Sequence, residues 1–210
     1  EGLRKIAAAI QRDPDDPNKQ RDFYEIYTAN LLYAPLLTER AGPLNAAAFA
    51  PNGLYFATAV GPVVRLYRNG ETTAVDSFAA GNAVNHVFFQ SNDTLWAGSE
   101  DRKAYQFLIT HDNKALRLLR SVETGENIQR FALDKRQRWL ATLHNQPFVQ
   151  LWEVRADSIP AQKWEMEDLV SATALSPDGQ WWVAGTETGT LRIKSTNAAP
   201  ESFEPQLLYE

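Results

Sequence analysis

Ser171-Ala-Thr-Ala-Leu-Ser-Pro-Asp-Gly-Gln-Trp-Trp-Val-Ala-Gly-Thr-Glu-Thr-Gly-Thr-Leu-Arg-Ile-Lys194 is the stretch on which the reading of this chain turns. Short runs of strand-forming residues alternate with turn formers. Pro177-Asp178-Gly179 and Thr188-Gly189 stand where the backbone must reverse, because proline presets one turn dihedral and glycine tolerates positive φ. The stretch therefore reads as strand, tight turn, strand, tight turn, strand.

Working outward, the same pattern recurs three more times. Aligned on an alanine in the second strand, the copies are Phe56-Ala57-Thr58, Trp96-Ala97-Gly98, Leu140-Ala141-Thr142 and Val183-Ala184-Gly185. A first strand precedes each, at 45–49, 85–89, 128–133 and 171–175. A third follows, ending in Tyr67, Phe107, Trp152 and Lys194. Fourth strands fall at 72–78, 116–122, 162–166 and 203–209. A period of forty-odd residues with three or four short strands is that of a propeller blade. Small residues suit inner strands that crowd near an axis, and the bulky end of each third strand would pack between neighbouring sheets.

Phe49-Ala50-Pro51-Asn52-Gly53, Leu175-Ser176-Pro177-Asp178-Gly179, Val149-Gln150-Leu151-Trp152-Glu153 and Thr188-Gly189-Thr190-Leu191-Arg192-Ile193 carry a resemblance to the WD-repeat β-propellers. The resemblance runs from about Ala34 to the C-terminus. It implies an all-β propeller of four-stranded antiparallel blades, about four of them here, working as a non-catalytic scaffold or sensor. Two features depart from the family pattern. No Gly-His opens a repeat, and Trp-Asp survives only as Trp152-Glu153, with Tyr67, Phe107 and Lys194 at the other tryptophan positions. The family's His–Asp hydrogen-bond network is thus not expected, which leaves the blades to packing alone. Four blades are the lower limit for a closed ring. The stretch 34–38 reads as an outer strand without inner strands before it, and 203–209 already serves the fourth blade. A partial ring follows, with open blade edges free to self-associate.

Residues 1–33 read as a helical lead-in to the blades at 34–210. Leu3, Ile6, Ala7 and Ile10 fall at helical spacing. Asp16 and Pro17 suit the cap and first turn of a second helix that carries Phe23, Ile26, Tyr27 and Leu31, and it should end before Pro35.

Composition narrows the function. The 210 residues are 44% hydrophobic and 22% charged, which suits a folded protein with a real core. Cys 0 removes disulfides and thiolate metal sites. No apolar run approaches twenty residues and no signal peptide is visible, so no membrane role and a cytoplasmic location are expected. A formal charge of -5 speaks against nucleic acid, which calls for concentrated basic surface. The basic cluster Lys135-Arg136-Gln137-Arg138 reads as one solvated hairpin turn.

No catalytic, cofactor or metal residues emerge. His86, His111 and His144 share no ligand spacing, and there is no phosphate loop or Gly-x-Ser-x-Gly elbow. His86 reads as a core residue, His111 as surface, and His144, beside Asn145 and Gln146, as part of a binding surface. The loops at one end of the blades should hold Glu100, Asp101, Arg102, Glu126, His144, Asn145, Asp168 and Glu187. Loops held on a rigid scaffold are where binding residues concentrate, and an acidic rim favours a basic protein or peptide partner. The alternatives are an accessory propeller gating a hydrolase and a half-propeller that dimerises.

Overall fold

The computed structural model of the chain describes residues 42–110, 112, 115–136, 138–154 and 160–197. The expected helices, the outer strands at 34–38 and 203–209, and His111 lie outside them. The described residues are all β, in four antiparallel sheets. The first holds β1 (Leu44–Phe49), β2 (Tyr55–Val60), β3 (Val63–Arg68) and β4 (Asp76–Ala79). The second holds β5 (Val84–Phe89), β6 (Thr94–Ser99), β7 (Lys103–Thr110) and β8 (Ala115–Glu123). In the third are β9 (Ile128–Leu133), β10 (Trp139–His144), β11 (Phe148–Glu153) and β12 (Pro160–Glu165). The fourth contributes β13 (Val170–Leu175), β14 (Trp181–Thr186) and β15 (Leu191–Ser195). Each sheet is a meander in chain order.

The turns form as their residues dictate. Ala50-Pro51-Asn52-Gly53 and Ser176-Pro177-Asp178-Gly179 adopt the same turn. The glycine N–H bonds back to the carbonyl of the first turn residue, at 2.8 and 2.9 Å, and the glycines have φ of 69° and 71°. Gly179 is doubly constrained, since a Cβ there would sit 3.0 Å from Asp134 Oδ2.

Three cores lie between the four sheets. The first pairs Ala57, Ala59 and Leu66 with Leu95, Ala97 and Phe107. The second sets Trp96 and Val122 against Ile128, Leu140 and Trp152. The third sets Ala141, Leu143 and Leu151 against Val170, Trp182 and Ala184. The innermost strands neighbour one another in order, β1 by β5, β5 by β9 and β9 by β13. No comparable packing brings β13 back to β1 among the described residues. The row of sheets is propeller-like and does not close there.

The strand register corrects the alanine alignment. Val60, Ser99, His144 and Thr186 pair with the first residues of the inner strands, Leu44, Val84, Ile128 and Val170. Counting back from them, Ala57, Trp96, Ala141 and Val183 share one structural position, and Thr58, Ala97, Thr142 and Ala184 share the next. Ala57 and Ala141 thus face the following sheet, and Ala97 and Ala184 the preceding one. A slip of one residue exchanges the faces of a strand, and alanines on adjacent positions conceal it. The third-strand positions keep phase: Tyr67, Phe107, Trp152 and Lys194 pair with Phe56, Leu95, Leu140 and Trp182.

The expectation of packing alone also needs correction. In the third sheet, Trp152 Nε1–H donates to Thr142 Oγ1 at 2.9 Å. Thr142 Oγ1 lies 3.0 Å from His144 Nε2, and His144 Nδ1 lies 3.0 Å from the Asn127 carbonyl oxygen. Buried polar groups must find partners, and here four of them form one chain.

Candidate functional site

Each inner strand begins with a one-residue bulge, at Asn45, Asn85, Gln129 and Ser171. All four are polar, and two of them staple neighbouring strands together. Asn45 Nδ2 donates to Val84 O at 3.0 Å and Asn85 Nδ2 to Ile128 O at 3.3 Å. Bulges of this kind re-aim side chains. These lie at the end of the sheets where second strands turn into third strands and where each sheet passes to the next.

At that end the loops are drawn together sheet by sheet, but not identically. Between the first and second sheets, Glu100 N–H donates to Ala83 O at 2.8 Å, and Ser99 Oγ to Asn82 O at 3.0 Å. Between the third and fourth, Glu187 N–H donates to Leu169 O at 2.9 Å, and Arg192 pairs with Glu167. Between the second and third, no equivalent bond from Asn145 is made. Instead the His144 side chain reaches the Asn127 carbonyl. The hydroxyls of its counterparts, Ser99 and Thr186, accept from Asp101 N–H at 3.2 Å and Thr190 N–H at 3.1 Å within their own turns, and Ser99 adds its bond to Asn82 beside the backbone bridge. At this junction the imidazole makes the bridge in place of the Asn145 amide, and the Asn145-Gln146 turn and the Glu126-Asn127 loop line one opening.

A cavity of about 430 Å³ opens there, lined by Glu100, Arg102, Glu126, Asn127, Gln129, His144, Asn145 and Gln146. All eight lining residues are polar or charged. Two carboxylates face one guanidinium, and the remainder is mostly amide. Glu100 is held by Asn85, whose Nδ2 donates to Oε1 at 3.1 Å and also lies 3.4 Å from Gln129 Oε1. Arg102 is exposed, sits on a turn with φ of 69°, and has no side-chain partner among the described residues.

His144 is the floor. It is 1% exposed, and burial depresses its pKa against the opposing pull of the Asn127 carbonyl and Glu126. The ring is neutral at pH 7, and the carbonyl of Asn127, which can only accept, fixes the proton on Nδ1. Nε2 then accepts from the Thr142 hydroxyl. Both ring nitrogens are committed, so the histidine shapes the cavity and has no free nitrogen to offer.

Of the eight residues expected from sequence, five line this cavity: Glu100, Arg102, Glu126, His144 and Asn145. Asp101 is spent on its own turn and on the loop between β4 and β5, accepting from Lys103 N–H at 3.2 Å, the Tyr105 hydroxyl at 2.5 Å and Gly81 N–H at 2.7 Å. Burial and that carboxylate push the Tyr105 pKa up. Asp168 caps Leu169 N–H at 2.7 Å. Glu187 projects from an exposed turn of the fourth sheet. Asn127 and Gln146 belong to the rim loops expected from sequence, whereas sequence reasoning missed Gln129 and the supporting Asn85. A polar residue recurring near the start of each first strand was the available signal.

His86 stands on β5, where its Nδ1 accepts from Phe131 N–H at 3.4 Å and its ring meets Phe131 edge-on at 4.5 Å. Burial, and secondarily Arg130, lower its pKa to about 4. The basic hairpin lies at the opposite end of the sheets, wrapped around Asp134. That carboxylate accepts from the N–H groups of Arg136, Arg138 and Trp139 at 3.0, 2.8 and 2.6 Å. Among the described residues no group of three His, Asp or Glu could hold a metal ion, and no helix is long and apolar enough to cross a membrane.

Comparison with known proteins agrees with the architecture. No family model matches the chain, and no curated protein matches it. A chain in the crystal structure of the mitotic checkpoint complex has the same fold, with a TM-score of 0.63 and 19% sequence identity over 77% of this chain. The match covers 52% of that chain, so this protein spans about half its length. As many as 1469 chains of solved structures match, so the likeness fixes the fold and leaves function to the site.

Proposed function

We propose that this chain is a non-catalytic interaction module, a WD-repeat-like propeller segment that docks a protein or peptide partner in the cavity between its second and third sheets. The observation that carries the reading is the one junction where a histidine replaces a backbone bridge, so that acids, amides and an arginine without a side-chain partner among the described residues converge on one opening from four loop and strand segments. The neighbouring junctions are bridged backbone to backbone. The fold likeness to a chain of a protein complex is in keeping with a protein partner.

The test is selection of random dodecapeptides displayed on phage, with the protein as bait. The expected result is an enriched set whose binding drops at least about tenfold, or 1.4 kcal/mol, on a bait carrying Glu100→Gln and Glu126→Gln together. Peptides that bind that bait unchanged would place recognition elsewhere.

A second reading has its own observation. The outward face of the fourth sheet is apolar, with Ala172, Ala174 and Trp181 exposed and Val183, Leu191 and Ile193 half-buried. Phe49 is 64% exposed on the outward face of the first sheet. Such faces favour association of two partial rings.

A further inference from the structure

We infer that the segment received by the cavity is dipolar, a lysine or arginine side chain immediately beside a carboxylate, and not simply basic. This rests on reading the cavity as a peptide site and concerns what that site selects.

Glu100 and Glu126 line the cavity, and Asn85 holds Glu100 in place from behind. A cationic side chain entering between them gains charge-assisted hydrogen bonds to both carboxylates, of which Glu100 is already oriented by Asn85. Arg102, however, lines the same cavity and has no side-chain partner among the described residues, although three glutamates, Glu100, Glu123 and Glu126, belong to its own or adjoining loops. Glu123 is turned away to Lys103 at 3.3 Å. An entering segment with only positive charge would strip water from Arg102 and offer it a like charge. Leaving a desolvated charge unpaired costs more than an ideal pair returns. A carboxylate next to the cation removes that cost, because guanidinium binds carboxylate through two parallel N–H groups. The amides of Asn127, Gln129, Asn145 and Gln146 both donate and accept, and so can serve the peptide backbone between the two charges. A volume of about 430 Å³ has room for two or three residues and not for a folded element.

The test is fluorescence anisotropy with four labelled hexapeptides that share flanking residues and differ at two central positions: Arg-Asp, Arg-Ala, Ala-Asp and Ala-Ala. Each is titrated with the natural protein, with Arg102→Ala and with Glu100→Gln/Glu126→Gln. The natural protein is expected to bind Arg-Asp at least about tenfold more tightly than Arg-Ala. Arg102→Ala should erase that difference while keeping the preference for Arg-Ala over Ala-Ala, and the double glutamine variant should lose the preference for arginine. A fifth peptide with its carboxylate as the C-terminus distinguishes a side-chain acid from a chain end. Arg-Ala binding as tightly as Arg-Asp, or an Arg-Asp advantage that survives in Arg102→Ala, would overturn the dipolar assignment and leave the peptide site standing. No binding sensitive to the glutamate changes in any peptide would overturn the peptide site and the assignment with it.

Discussion

His144 does at one junction what backbone amides do at the others, and the consequence is a cavity. Replacing it by serine, the residue its counterpart Ser99 carries, should let the Asn145 turn settle onto the Asn127 carbonyl. Hydrogen exchange by NMR would report this. The Asn145 amide should exchange freely in the natural protein and gain protection in His144→Ser. An Asn145 amide equally exposed in both would remove the histidine's role as a spacer. Thr142 sits one link further in, wholly buried between Trp152 and His144. Thr142→Val keeps the shape and orphans both partners, so urea denaturation should show a loss of about 1–3 kcal/mol. Gly98 is constrained differently. A Cβ there would fall 2.7 Å from Ile128 Cγ2 and 3.0 Å from a ring carbon of Phe131, both buried. Gly98→Ala should cost about 1–3 kcal/mol through overpacking. At this scale the sequence was partly misleading. Alanine beside a glycine or threonine looked equivalent four times, and only pairing partners reveal that two of the four face the other way.

At the scale of the element, the turns and first strands were legible because proline and glycine impose local geometry that needs no tertiary information. Three fourth strands could be expected only approximately. The first is trimmed to Asp76–Ala79, where Asp76 Oδ2 takes the Leu116 N–H of the next sheet at 2.7 Å. The bulges were not legible, since an extra residue shows only against its partner strand. The hairpin at Asp134 illustrates how much one side chain can hold, with three backbone donors on one 2% exposed carboxylate. Asp134→Ala should cost about 2–3 kcal/mol and separate the basic turn from β10, measurable as a drop in urea midpoint. A stability within about 0.5 kcal/mol of the natural protein would show that the turn holds without it.

For the whole molecule, stability should depend on pH through its inner histidines. The folded pKa of His86 lies at about 4, below the unfolded value of 6.5. The unfolded chain therefore takes up the proton first as pH falls. The stabilisation is complete above about pH 6.5 and is lost as pH descends towards 4, by at most about 3 kcal/mol for this residue at roughly 1.4 kcal/mol per unit. His144 acts in the same direction. Chemical denaturation at pH 7 and pH 4.5 should show a smaller drop for His86→Gln than for the natural protein, and an equal drop would deny the histidine its part. The open ends of the row make a separate prediction. Sedimentation velocity should show concentration-dependent association that Trp181→Lys reduces, and a concentration-independent monomer would set that reading aside. The order of the sheets was legible from a repeat period alone. The loop end that carries the candidate site was legible as well, since five of the eight expected residues line the cavity, but the particular junction was not, because it arises from a difference between junctions that share one plan.

The most direct measurement is a crystal structure of the protein with a peptide recovered from the display selection. The account predicts peptide density between the Glu126-Asn127 loop and the Asn145-Gln146 turn, with a basic side chain against Glu100 and Glu126. Density at the Asp134 hairpin or along an outer strand, with that cavity empty, would contradict it.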